Sequence, residues 1–242
     1  MKRFRFLLLS LLAAMSVFLT NCADDEDATT DAESGDTAVA ATPATDPVAT
    51  AAPVNMLIAR HKVKDFTKWK ASYDDHDSLR LANGMHTFLI GRGVEDPNMV
   101  LVAIKVDDVE KAKAFGKSED LKKAMEKGGV TGAPKIVITT VPFLNTGANA
   151  PLRTMSFLNV KDYDTWKAGF DSSKQNRIDN GLEDRAVGYD VDNKNKVIYV
   201  GTVLDSAKVR TYQKSDALKE RIKSHGVEGN VERFWYRVVQ TY

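Results

Sequence analysis

The sequence predicts an α+β protein assembled from two tandem copies of one unit, and three observations carry that prediction. Adding 97 to any position from Val63 to Gly132 lands on its counterpart between Val160 and Gly229, with about a third of the paired positions identical; a period this long marks a duplicated domain rather than a solenoid. Within each copy, short β-branched runs and helical stretches follow the order strand, helix, strand, strand, helix, strand. Only about nine residues, Phe143 to Pro151, join the copies.

The elements of the first copy follow in order. Met56 to Ala59 is a short apolar run and reads as the first strand. Phe66 to Ala82 has helical periodicity, with Asp65 placed to accept N–H bonds at its start and Asn83-Gly84 suited to a left-handed stop. Met85 to Gly91 and Val100 to Val106 supply the second and third strands. Val109 to Lys127 is the second helical stretch, opened by Asp108 and divided by a further cap at Ser118. Ile136 to Val141 closes the unit as a β-branched strand. The copy repeats the caps as Asp162, Asp205 and Ser215, and the stop as Asn180-Gly181. Residues 55–143 and 152–242 thus form the two units, with 144–151 between them.

This order is the ferredoxin-like βαββαβ arrangement, whose sheet carries helices on one face and leaves the other bare. A second unit in the same chain supplies the partner that the bare face needs, about a pseudo-two-fold axis. The pattern Val-Lys-Asp-Phe-x-x-Trp-Lys-x-x-Tyr-Asp-x-His-x-x-x-Arg-x-x-x-Gly-Met from Val63 to Met85, followed by Glu95-Asp96-Pro97-Asn98 and by Gly-Val-x-Gly-x-Pro from Gly129 to Pro134, resembles the dimeric α+β barrel superfamily. The nearest resemblance there is to proteins called antibiotic-biosynthesis-monooxygenase-like or cyclase-like. It implies two tandem ferredoxin-like units forming an intramolecular dimeric α+β barrel, monomeric as a chain. It implies no single function, because members include cofactor-free oxygenases, haem-degrading enzymes and isomerases.

The chain begins with Lys2, Arg3 and Arg5 before an apolar run from Phe6 to Leu19, the pattern of a secretory signal peptide over residues 1–21. Leu19-Thr20-Asn21-Cys22 resembles a bacterial lipobox with Asn21 in place of the usual small residue, and the resemblance implies lipidation of Cys22. Cys22 is the only cysteine, so an intramolecular disulfide is excluded. Residues 23–54 hold eight acids and no Lys or Arg, which predicts a disordered acidic tether. The acids directly behind the cysteine resemble the export signal of surface-exposed lipoproteins. The expected address is therefore the cell envelope, lipid-anchored at the outer membrane and surface-exposed.

Setting the leader at +3 and the tether at −8 against the total of +1 leaves +6 for residues 55–242, spread along helices without a cluster, so nucleic-acid binding is not expected. The sequence has no phosphate-binding glycine loop, nucleophile elbow or Cys-His pair. Asp74-Asp75-His76-Asp77 does not hold metal-ligand spacing, and His61, His86 and His225 are isolated. Neither a metal nor a cofactor is expected.

Trp69, Tyr73, His76 and Arg80 are spaced by four, three and four and line one stripe of the first helix; Trp166, Phe170, Ser173 and Arg177 stand there in the copy. Aromatic stripes at this spacing commonly pack as core. The resemblance instead implies a ligand cavity between helices and sheet, with Trp69, Tyr73, His76, Arg80, Trp166, Phe170 and Arg177 around it. Arg80 or Arg177 would then hold a carboxylate or enolate, and His76 would act as a base, with Tyr73 the third candidate for catalysis. Three functions remain open: an envelope lipoprotein binding a small organic ligand or serving as an accessory module; a cofactor-independent monooxygenase or isomerase; and a purely structural or protein-binding barrel.

Overall fold

The computed structural model describes residues 52–242. The leader, Cys22 and all but the last three residues of the acidic segment lie outside the described residues. The first half runs β1 (Val54–Val63), α1 (Phe66–Asp75), α2 (Asp77–Ala82), β2 (Met85–Gly93), β3 (Met99–Val106), α3 (Val109–Phe115), α4 (Glu119–Lys127) and β4 (Val130–Leu144). The second repeats it as β5 (Leu152–Val160), α5 (Tyr163–Ser172), α6 (Lys174–Asp179), β6 (Leu182–Asp190), β7 (Asn193–Val203), α7 (Ser206–Lys214), α8 (Asp216–Ser224) and β8 (Val227–Thr241).

The caps expected from the sequence are made. Asp65 accepts from the Lys68 N–H, Asp162 from Thr165, Asp108 from Glu110 and Lys111, and Asp205 from Ala207 and Lys208. Ser118 and Ser215 cap α4 and α8 by accepting from Leu121 and Leu218. Gly84 and Gly181 stop α2 and α6 at φ of 66° and 80°, where a side chain would be strained.

The stretch expected as one helix from Phe66 to Ala82 is instead two, broken at His76, and its copy breaks at Ser173. The cause is local. His76 donates from Nδ1 to the carbonyl of Ser72 at 2.6 Å, and Ser173 donates from Oγ to the carbonyl of Gly169 at 3.0 Å. Each side chain takes the i−4 carbonyl that the continuing helix would use.

All eight strands join one closed barrel in the order β1-β3-β2-β8-β5-β7-β6-β4, every pair antiparallel. The half-sheets meet edge to edge, at β2–β8 and β4–β6, so no strand edge is left open among the described residues. Alternation along each strand sends one set of side chains inward and the other toward the helices. Met56, Ile58, Leu101, Met155, Val200 and Tyr236 belong to the inner core. Leu57, Trp69, Met85, Val102 and Phe115 belong to the first outer core, beneath α1–α4. Of the aromatic run near the C-terminus, Tyr236 enters the inner core and Trp235 an outer one.

At the β2–β8 seam, a Cβ on Gly91 would sit 2.5 Å from Cδ2 of Tyr236, which is fully buried. Gly91→Ala is therefore expected to lower the urea midpoint by the equivalent of about 1–3 kcal/mol through overpacking. An unchanged midpoint would mean that the seam is loosely packed.

Candidate functional site

The first-half site lies between the outer face of the β1–β4 half-sheet and α1, α2 and α4. Trp69, Tyr73, His76 and Arg80 from the helices face Leu57, Ala59 and His61 of β1 across a cavity of about 90 Å³. That is several times the roughly 10–15 Å³ that one water needs, and suits a ligand of about one ring. A macrocycle of haem size does not fit it.

Inside this largely apolar wall stand four polar side chains, Arg80, His61, Tyr73 and His76. Arg80 is 6% exposed and lies over the Tyr73 ring, its Cζ 3.6 Å from the ring centroid. Its Nη1 donates to the Tyr73 carbonyl at 2.7 Å and its Nη2 to Asp77 Oδ1 at 2.9 Å, while Nε has no partner among the described residues. His61 is 7% exposed, stands 5.5 Å from the Trp69 ring and has no partner among the described residues at either ring nitrogen. Burial pushes its pKa down to about 4, so the ring is neutral at physiological pH. Tyr73 pairs with Thr87 Oγ1 at 2.7 Å, and burial pushes its hydroxyl up to about 12, which keeps it protonated. His76 lines the cavity with its Nδ1–H committed to the Ser72 carbonyl.

The second half holds the matching cavity, about 80 Å³, with Trp166, Phe170, Ser173 and Arg177 around it. Its electrostatics differ. Arg177 stacks over Phe170 with Cζ 3.5 Å from the ring centroid, but its Nε and Nη2 form a bidentate pair with Asp184 at 2.7 and 2.6 Å. Tyr199 donates to the same carboxylate at 2.9 Å. The positions equivalent to Asp184 and Tyr199 in the first half are Thr87 and Val102. His225 packs against Gly169, where a Cβ would lie 2.6 Å from its ring; the first half has Gly128 and Ser72 there. Arg221 donates to Asn176 at 2.6 Å and lines this cavity together with Arg233.

No family model and no curated protein matches the chain. Solved structures do. A candidate monooxygenase from Fusobacterium nucleatum subsp. nucleatum superposes with a TM-score of 0.51 at 14% identity, covering 78% of this chain and 94% of its own. An anthrone oxidase-like protein gives 0.53 at 13% identity over 78% and 92%, and a candidate chlorite dismutase gives 0.51 at 11% over 78% and 96%. This chain has the dimeric α+β barrel fold. At these identities the likeness establishes the fold alone.

Within this barrel, the stripe expected from helical spacing is brought together at one cavity per half, and its aromatic members also serve as core. Trp69 and Trp166 are both buried, stacked at 5.0 Å on Tyr73 and Phe170 respectively. Arg177 differs from the ligand clamp expected of it, because Asp184 already occupies its paired N–H groups. Sequence reasoning set His61 and His225 aside as isolated; the fold puts one in each cavity. The signal for His61 was its place two residues after Ala59 on a strand whose alternate side chains face the helices. His86 lies outside both cavities, paired with Asp107 at 2.9 Å. Among the described residues no three His, Cys, Asp or Glu side chains converge on a possible metal site.

Proposed function

We propose that this protein is a cell-envelope lipoprotein whose barrel binds a small organic anion in the first-half cavity. The observation that carries the reading is that three buried nitrogen atoms without partners among the described residues, His61 Nδ1 and Nε2 and Arg80 Nε, belong to residues in the wall of one apolar cavity. A buried polar group left unpaired costs about 1–3 kcal/mol, and a ligand with an apolar ring and a carboxylate or enolate head relieves that cost. The ring packs against Trp69 and Leu57, and the head accepts from Arg80 Nε and from the protonated nitrogen of His61. Asp184 supplies such a head internally in the second half.

The test is native mass spectrometry of protein purified gently from its host. An added mass released on denaturation, and absent from Arg80→Met, supports the reading. A bare chain that also fails to take up benzoate or related one-ring acids refutes it.

A second reading is favoured by the neutral imidazole of His61 and the His76 ring lining one cavity with a guanidinium: a cofactor-independent oxygenase or isomerase. The names of the monooxygenase and anthrone oxidase-like neighbours are compatible with it. In that case a histidine takes a proton from a carbon acid while Arg80 holds the resulting enolate oxygen. Recovery of the bound molecule unchanged after exposure to oxygen distinguishes binding from turnover.

The envelope address rests on the basic and apolar leader, Cys22 and the acidic segment behind it. Two or more acyl chains would hold the protein far more firmly than one, which binds only marginally. Labelling with a fatty acid is expected in the wild type and absent from Cys22→Ala; equal labelling of both removes the anchor at that residue.

A further inference from the structure

We propose that the barrel interior binds a small monovalent anion, of the size of a halide, nitrate or formate, between Arg153 and Arg185. Strands β5 and β6 aim these two arginines into the inner cavity, where they are 3% and 6% exposed. Among the described residues neither has a carboxylate within salt-bridge distance. Their protein partners are neutral: carbonyls of the connection between the halves and, for Arg153, the buried Tyr236 hydroxyl. Arg185 Nη1 donates to Asn145 O and Arg153 Nε to Ala150 O at 3.4 Å, while Arg185 Nε has no partner among the described residues.

Two like charges out of water without a counter-ion are a large penalty, and neutral acceptors do not cancel it. Arg60, an arginine elsewhere on the barrel, shows the usual remedy: it is paired with Glu232 and stacked over Phe157 and Phe234. The fold itself does not require charge at the two positions, because the first half has Met56 and Phe88 there. An anion between the guanidinium groups supplies the missing charge and an acceptor for Arg185 Nε. It also pins residues 145–151 across the barrel through the carbonyls already held.

Size limits the class. The inner cavity measures about 40 Å³, room for roughly three waters, with Met155, Leu101 and Ile198 as its apolar walls. A ring-sized acid is excluded, so this site is distinct from the first-half cavity and stands whether or not that cavity binds a ligand.

Bromide is the probe. Diffraction at the bromine absorption edge from crystals of the protein equilibrated with bromide is expected to show an anomalous peak within about 3.5 Å of Arg185 Nε. The double variant Arg153→Met, Arg185→Phe, which installs the first half's own residues, is expected to lack it. The full-length protein in detergent is expected to gain about 2–4 °C in its unfolding midpoint with bromide, a shift lost in the double variant. No bromine signal in the wild-type interior, or an equal midpoint shift in the variant, overturns the proposal. Failure of the variant to fold leaves the wild-type peak to decide.

Discussion

His61→Leu is expected to stabilise the fold while abolishing retention of the ligand. Leucine is what the second half carries at the equivalent position, Leu158, so the backbone there accommodates it. The substitution removes two buried ring nitrogens without partners, and the gain at pH 7 is expected to be about 1–3 kcal/mol. A pH signature accompanies it. The folded pKa of about 4 lies below the ordinary value of 6.5, so between those values the unfolded chain takes up a proton that the folded chain refuses. Stability is then lost as pH falls from about 6.5 to 4, by on the order of 3 kcal/mol for the ligand-free protein. Urea titrations of stripped wild type and variant at pH 7 and pH 4.5 check this. The two should diverge toward low pH, with wild type the weaker. Parallel losses would mean that His61 is not buried as a neutral ring, and a variant that still carries ligand would remove His61 from the site.

Asp184→Ala is expected to cost about 3–5 kcal/mol, because it leaves the Arg177 guanidinium buried without its acid and deprives the Tyr199 hydroxyl of its acceptor. The converse change tests the same logic in the other half. Thr87→Asp places a carboxylate where Asp184 stands in the copy, within the reach of Arg80, and is expected to occupy the position of the ligand head. Thermal unfolding should show the large loss for Asp184→Ala, and native mass spectrometry should show Thr87→Asp emptied of ligand. Asp184→Ala unfolding at the wild-type temperature would contradict the view that the pair is essential to the second half. Undiminished binding in Thr87→Asp would contradict the assignment of the head to Arg80.

The architecture was readable in the residues to a large extent, and for physical reasons. The duplicated caps Asp65 and Asp162, Asp108 and Asp205, and Ser118 and Ser215 mark helix starts by local hydrogen bonding that needs no tertiary context. Gly84 and Gly181 mark stops in the same way. The breaks at His76 and Ser173 are not legible in the sequence because helical periodicity continues across them, and only the side-chain bond to the i−4 carbonyl reveals the interruption. At the site, helical spacing gathers Trp69, Tyr73, His76 and Arg80 without a structure. His61 could not be added, because a single residue on a strand declares its partners only when the facing helices are placed. The difference between the halves was present in the sequence as Thr87 against Asp184 and Val102 against Tyr199. It acquired meaning only when Asp184 was found across from Arg177, on a strand whose direction the linear pattern does not show.

Binding of a small organic anion in the first-half cavity would be seen in the electron density of protein purified without exchange of its ligand. Density of about ring size is expected beside Trp69, with its polar end within hydrogen-bonding distance of Arg80 Nε and of a His61 ring nitrogen, and no matching density is expected against Arg177. Ordered water alone at Arg80 and His61, or a cavity closed by its own side chains, would contradict it.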